Sequence, residues 1–247
     1  MKKYSELCKV IKEHQYHNLT FDNYLSCKDL PQKFIIIRHD IDRKPLNALT
    51  VANIESEHGI KSTYYFRYTK SVFKPDIIKK IADMGHDIGY HYEVLSKTRG
   101  DYKKAIDLFE DELTKFREIC STKTICMHGR PLSRYDNKDL WKHYDFKNYG
   151  ILGEGYLSAG KELNYFSDTG RNWNWNNKLR DFLVNNKPNT FINSTDDLIM
   201  LIREGKIDKF YILVHPERWS KNGIEWSSVY IQDSLFNYGK KILSAVR

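Results

Sequence analysis

The feature that most constrains this chain is a series of short apolar runs, most of which end in a histidine or an aspartate. Residues 33–38 (KFIIIR), 62–67 (STYYFR), 124–127 (TICM), 163–167 (LNYFS) and 210–214 (FYILV) are rich in β-branched and aromatic side chains. That is the pattern of strands buried on both faces. A weaker run, 87–90 (DIGY), follows a helix end at Gly85. Helical periodicity separates several of them. In 102–119, Tyr102, Ile106, Phe109, Leu113, Phe116 and Ile119 recur at spacings of three and four, which defines one buried face. Segments 46–57, 75–84, 138–144 and 195–203 read as shorter helices, the last with a capping box from Ser194 and Asp197. Strands alternating with helices predict an α/β fold on a parallel sheet, open or closed.

The residues just past these runs carry the chemistry. KFIIIR leads into His39, Asp40 and Asp42, DIGY into His91, TICM into His128, LNYFS into Asp168 and FYILV into His215. In parallel barrels and doubly wound sheets, residues just past the C-terminal strand ends converge on one mouth. Any one of these residues alone is more often structural; together they predict a site. Asp40 and Asp42, two apart on an extended segment, point to the same side. Two carboxylates so placed repel unless something positive compensates. A divalent metal on one of them does so and leaves the other free as a base, with His91 and His128 as natural imidazole ligands. A salt-bridge network of Asp40 with Arg38, Arg43 or Arg130 is the other way to balance the pair.

Length and charge set the surrounding limits. A chain of 247 residues is close to the usual size of a single α/β barrel. The formal net charge is +8, from 40 Lys and Arg against 32 Asp and Glu. This favours anionic partners, a phosphate-bearing substrate among them. The lysines are scattered singly or in pairs, and no nucleic-acid-binding pattern is present, so nucleic acid is not an expected partner. The charged N-terminal segment lacks the apolar run of a signal peptide, and no stretch approaches the roughly 20 apolar residues of a membrane span. Four cysteines without a CxxC pair show no disulfide framework. The expectation is a cytoplasmic protein with free thiols.

Over residues 33–219 these segments resemble the polysaccharide deacetylases, the NodB-homology or carbohydrate esterase family 4 group. The resemblance implies a single-domain distorted (β/α) barrel over 1–247, with about seven parallel strands. HDID is similar to the first family motif, which makes Asp40 the catalytic base and Asp42 a metal ligand. GHDIGYH (85–91) is similar to the second, in which His91 binds the metal and His86 is a structural neighbour. The family supplies a second metal histidine four residues later, where this chain has Leu95. His128, in MHGRP where the third motif carries an arginine and a proline, is the first candidate to replace it, and Glu93 the second. SDTGRNW (167–173) resembles the fourth motif, whose Asp168 and Trp173 line the groove and orient the base. LVHPERW (213–219) resembles the fifth, with Leu213 packed beside the acid His215. On this reading Arg130 or Arg171 holds Asp40 or an anionic part of the substrate, and Trp173 and Trp219 stack on a sugar ring or close the core.

The activity implied is that of a zinc-dependent hydrolase removing an acetyl group from an N-acylated sugar or glycan precursor. The alternatives are another C–N hydrolase on the same fold (a deformylase, cyclic amidase or ureide hydrolase, with or without a metal) and a non-catalytic carbohydrate-binding barrel. The intact aspartate pair counts against the last, since a binding module has no use for buried like charges.

Overall fold

The computed structural model describes residues 1–130, 133–171, 173, 183, 190–219, 227 and 230. Its centre is β2 (Phe34–Ile41), buried along its whole length. β3 (Thr63–Phe66), β4 (Asp87–Tyr92), β5 (Thr124–Met127) and β6 (Gly153–Glu154) extend the sheet on one side, β8 (Lys209–Val214) and β7 (Asn164–Ser167) on the other. The order is β6-β5-β4-β3-β2-β8-β7, and all the pairings are parallel. The short β1 (His17–Leu19) pairs with residues 34–36 of β2, while β3 pairs with residues 38–41.

The two ends of this sheet come back together. Tyr156, just past β6, meets Tyr165 of β7 with ring centroids 6.4 Å apart. The Tyr211 hydroxyl of β8 donates to the carbonyl of Gly155 at 3.1 Å. The sheet is therefore curled into a barrel, and among the described residues the seam between β6 and β7 is bridged by side chains rather than by a ladder. Alternation along β2 sorts its residues between two environments. His39 faces the outer helices, whereas Arg38 and Asp40 face the interior with Tyr211 and Cys126.

Two glycines make that interior possible. A Cβ on Gly89 of β4 would lie 2.2 Å from the Tyr65 ring, and one on Gly155 would lie 2.7 Å from the Arg38 guanidinium. The second glycine of GHDIGYH is thus required by close packing inside the barrel. Below, α2 (Phe21–Ser26), capped by Thr20, stacks Phe21 on Tyr211 at 5.5 Å and closes the N-terminal end.

The outer layer holds α1 (Lys2–Glu13), α3 (Pro45–Glu57), α4 (Pro75–Asp83), α5 (Val94–Lys97), α6 (Tyr102–Arg117) and α7 (Thr195–Glu204). α6 buries Ile106, Phe109, Leu113 and Phe116, the face its periodicity predicts, and Asp101 caps it. The capping box of Ser194 and Asp197 opens α7. Three local expectations change. Segment 138–144 folds as a 3-10 turn, Asn137–Lys142, a common state for so short a piece. The weak run 87–90 extends to Tyr92, so His91 lies within a strand, paired with Cys126. The helices α1, α2 and α5 and the strands β1 and β6 are additions.

Candidate active site

At the C-terminal ends of β2, β4, β5, β7 and β8 the chain assembles one cluster of carboxylates and imidazoles. β2 ends at Ile41, so Asp40 lies among its last residues and Asp42 directly after it. His91 Nε2 lies 3.3 Å from Asp42 Oδ1 and 3.8 Å from Asp40 Oδ2. His128, just past β5, brings Nδ1 to 3.0 Å from Asp42 Oδ1. On the far side His215 Nε2 is 4.0 Å from Asp42 Oδ2. Asp42 is the hub. Burial would raise its pKa, but the imidazoles of His128, His91 and His215 outweigh burial and hold it well below the usual carboxylate range.

The donor set suits a divalent cation. Asp42, His91 and His128 each offer an atom within 4.8 Å of the other two, and Asp40, His91 and Cys126 form a second such group. His91 Nδ1 lies 2.9 Å from the carbonyl of Cys126. A carbonyl only accepts, so in the neutral ring Nδ1 carries the proton and Nε2 keeps its lone pair towards the aspartates. That is the usual outer support of a metal-binding histidine. Asp42 Oδ1 is buried, and what faces it are the ring nitrogens of His128 and His91, with no backbone N–H or hydroxyl among the described residues aligned to donate to it. Two nitrogens and carboxylate oxygen match the ligand chemistry of zinc.

Asp40 is balanced differently. Arg38, two residues back on the same strand, donates from Nε to Oδ1 at 3.1 Å and from its terminal nitrogen to Oδ2 at 3.2 Å. Both partners are buried, and the guanidinium lies over the Tyr156 ring at 4.2 Å. Asp40 thus sits in a salt bridge with Arg38, while Asp42 is surrounded by imidazoles. The arginine facing Asp40 is Arg38, in place of the Arg130 or Arg171 expected from the loops. Arg130 instead approaches Glu93 at 3.7 Å, and Arg171 lies 5.8 Å over the Tyr230 ring. Pro131 of the MHGRP segment and Asn172 of SDTGRNW lie outside the described residues.

His215 is held by a second carboxylate. Its Nδ1 is 2.6 Å from Asp168 Oδ1, and its backbone N–H donates to Asp168 as well. Trp219 Nε1 donates to Asp168 Oδ2 at 3.2 Å, and Arg218 pairs with Asp168 Oδ1 at 3.0 Å. Burial and Arg218 pull His215 down, but Asp168 and Asp42 more than reverse this and its pKa is raised. Asp168 itself, against the effect of burial, is held low by His215 and Arg218.

Glu93 is bound by Arg67, which donates two of its N–H groups at 2.8 and 3.2 Å and a third to the backbone carbonyl of Asp42. A carboxylate so occupied positions the β2 loop rather than offering itself to a cation. Trp173 is buried and donates from Nε1 to Thr195 Oγ1, and Trp219 packs edge-on against Tyr4 at 4.9 Å. Both indoles are thereby tied into the protein's own contacts. Leu95 is buried, and His86 accepts from the Ser62 backbone N–H at 3.2 Å on the outer side of the sheet.

Sequence reasoning missed Arg67, Arg218 and Glu217, and it weighed Arg38 only as a rival. The signal for Arg38 was an arginine inside a buried strand, a placement that demands a charged partner. Glu217 lies two residues past His215 and is 1% exposed. Neither of its carboxylate oxygens meets a hydrogen-bond donor among the described residues, and the Arg43 Nε is 3.7 Å away. Burial and the neighbouring Asp42 push its pKa up to about 7.

Comparison with solved structures returns the Bacillus subtilis PdaA, a family 4 carbohydrate esterase, at 16% identity and a TM-score of 0.42, covering 83% of this chain and 73% of that one. A family 4 carbohydrate esterase from Bacillus anthracis is similar at 15% identity and a TM-score of 0.42, covering 93% and 84%. No family model matches the chain, and no curated protein matches its sequence.

Proposed function

We propose that this protein is a metal-dependent amide hydrolase that removes the acetyl group from an N-acetylated sugar. The observation that carries the reading is the division of the cluster into three parts. Asp42, His91 and His128 form a cation-type triad, Asp40 stands on one side of it, and the His215–Asp168 pair on the other. That is the equipment amide hydrolysis requires: a base, an acid and something to stabilise an oxyanion.

Asp42, His91 and His128 would hold the ion, zinc by its ligand chemistry. A bound divalent cation supplies Lewis acidity and lowers the pKa of water. Asp40, fixed by Arg38, accepts the proton as water adds to the carbonyl carbon. His215, its Nδ1–H committed to Asp168, carries a proton on Nε2, the nitrogen that faces Asp42. It delivers that proton to the nitrogen as the C–N bond breaks, giving acetate and a free amine. The raised pKa of His215 suits it to this role, because a general acid must still hold its proton at working pH.

A sugar amide is favoured by the resemblance of the motifs, and the net charge of +8 is compatible with a phosphate-bearing precursor. The test is direct. Purified protein loaded with zinc should bind about one ion per chain by elemental analysis and release acetate from N-acetylglucosamine oligomers. Absence of a stoichiometric ion after reconstitution ends the metal-dependent reading. Metal binding with no acetate release, but hydrolysis of a formamide or cyclic amide, moves the activity to another C–N hydrolase.

A further inference from the structure

The buried acid that this mechanism leaves unused is Glu217. It lies in the Pro216–Arg218 turn directly after His215, and packing holds that turn against α3 and β2. It is as buried as Asp40 and His91, yet both its oxygens lack a hydrogen-bond donor among the described residues. Arg43 stands 3.7 Å off, an ion pair too long to count as a hydrogen bond. Asp40 has Arg38, Glu93 has Arg67, and Asp168 has His215, Arg218 and Trp219. Asp42 also has one oxygen without an aligned donor, but imidazoles face it; Glu217 has neither oxygen matched among the described residues. Such a group is retained where a ligand supplies the missing partner.

We propose that Glu217 is a specificity residue that accepts hydrogen bonds from the hydroxyl groups of the sugar ring next to the scissile amide. The role rests on the proposed sugar-amide activity and names what part of the sugar is read. The chemistry comes from the neighbours. The charge of Asp42 acts unfavourably on an ionised Glu217, so a further anionic group is repelled there, and an apolar group leaves both oxygens unpaired. A neutral group with donor hydroxyls satisfies the pair. Glu217 shares a turn with the acid His215, so a ring bound through it is oriented with its leaving nitrogen near that acid. A site that hydrogen-bonds a hydroxyl discriminates strongly against the analogue lacking it, because the buried acceptor is then left empty.

The experiment compares two substrates on the same zinc-loaded protein: the tetramer of N-acetylglucosamine, and p-nitroacetanilide, which has an amide and no hydroxyl. Glu217→Gln keeps the shape and replaces one acceptor by a donor. It should lower kcat/KM on the tetramer by about 10–100-fold, as expected when a buried hydrogen-bonding group is left unsatisfied, and lower it much less on p-nitroacetanilide. Glu217→Asp should fall between wild type and Glu217→Gln. Because each variant is read on both substrates, a folding defect shows as an equal fall on both, and that result overturns the proposal. Unchanged kcat/KM on the tetramer overturns it too, leaving Glu217 a strut for Arg43 or a water site. If wild type releases acetate from neither substrate, the deacetylase reading fails while calorimetric binding of the tetramer still decides the role of Glu217. Weaker binding in Glu217→Gln supports it, and equal binding, or none by wild type, overturns it.

Discussion

His128 and Glu93 compete for the position the family resemblance assigns to a second histidine, where this chain carries Leu95. Leu95 is buried and apolar, so nothing at that position binds a cation. His128 faces Asp42 Oδ1 at 3.0 Å, and Glu93 is committed to Arg67. His128→Ala should therefore weaken zinc affinity by about 10–100-fold or more, and Glu93→Ala should leave it nearly unchanged. Titration of both variants with zinc separates them; equal affinities for wild type and His128→Ala would assign His128 to the substrate instead. His215 gives a second residue-scale prediction. Its pKa is raised above 6.5, so its proton is retained to higher pH and activity is lost as pH climbs through that value. Asp168→Asn removes a raising charge and should shift the alkaline limb of the pH–rate profile to lower pH. His215→Ala should lose about 10²–10⁴-fold in turnover and flatten the limb, with a smaller loss on substrates that have good leaving groups. Near-normal turnover by His215→Ala on an unactivated acetamide would leave that histidine a structural residue.

At the scale of elements, β3 and β4 are locked by one missing side chain. The Tyr65 ring occupies the space beside Gly89, and its hydroxyl donates to Thr124 Oγ1 on β5, so three neighbouring strands share the contact. Gly89→Ala forces a methyl group into a rigid ring and should cost roughly 1–3 kcal/mol, measured as a lower urea midpoint at unchanged slope. Tyr65→Val in the same chain should recover part of the loss, because neighbours in contact do not add. A Gly89→Ala protein as stable as wild type would show that the ring moves freely. Legibility in the sequence obeys the same physics. β2, β3, β5, β7 and β8 were visible because both faces are buried and the apolar runs are unbroken. β6 has two residues and β1 three, too few for any period to register. α1, where Tyr4, Leu7, Cys8 and Ile11 recur at helical spacing, is obscured by the lysines and glutamates interleaved with them. The strand-end histidines and aspartates were legible because barrel topology alone brings them together. The pairings of Arg38 with Asp40 and Arg67 with Glu93 were not, because which partner a buried charge chooses depends on packing that no spacing encodes.

The whole molecule is tied together behind the site by one buried carboxylate, Glu55 of α3. Its oxygens accept from the hydroxyls of Tyr4 on α1, Tyr64 on β3 and Ser62, and meet His39 Nε2 of β2 at 2.8 Å and His86 Nδ1 at 3.6 Å. Two helices, the strands β2 and β3 and the residue that leads into β4 thus converge on a single charge, and His39 is the residue next to Asp40. Burial alone would push Glu55 upward. The imidazoles of His39 and His86 and the Tyr4 hydroxyl outweigh it and hold the pKa at about 2, against 4.5 for an ordinary glutamate. The unfolded chain therefore binds the proton more readily than the folded one. Stability from this group is fully present above pH 4.5 and drains away as pH falls from there towards 2, by about 3 kcal/mol in all. Thermal melts between pH 7 and pH 3 should show Tm falling steeply below pH 4.5 in wild type. Glu55→Gln removes the titrating group while keeping its volume; it should start less stable at pH 7, since a hydrogen-bonded buried charge is lost from among its donors, and its Tm should fall less between pH 5 and 3. Parallel acid limbs in the two proteins would place the acid sensitivity elsewhere, in carboxylates such as Asp168 and Glu93 whose pKa values are also held down.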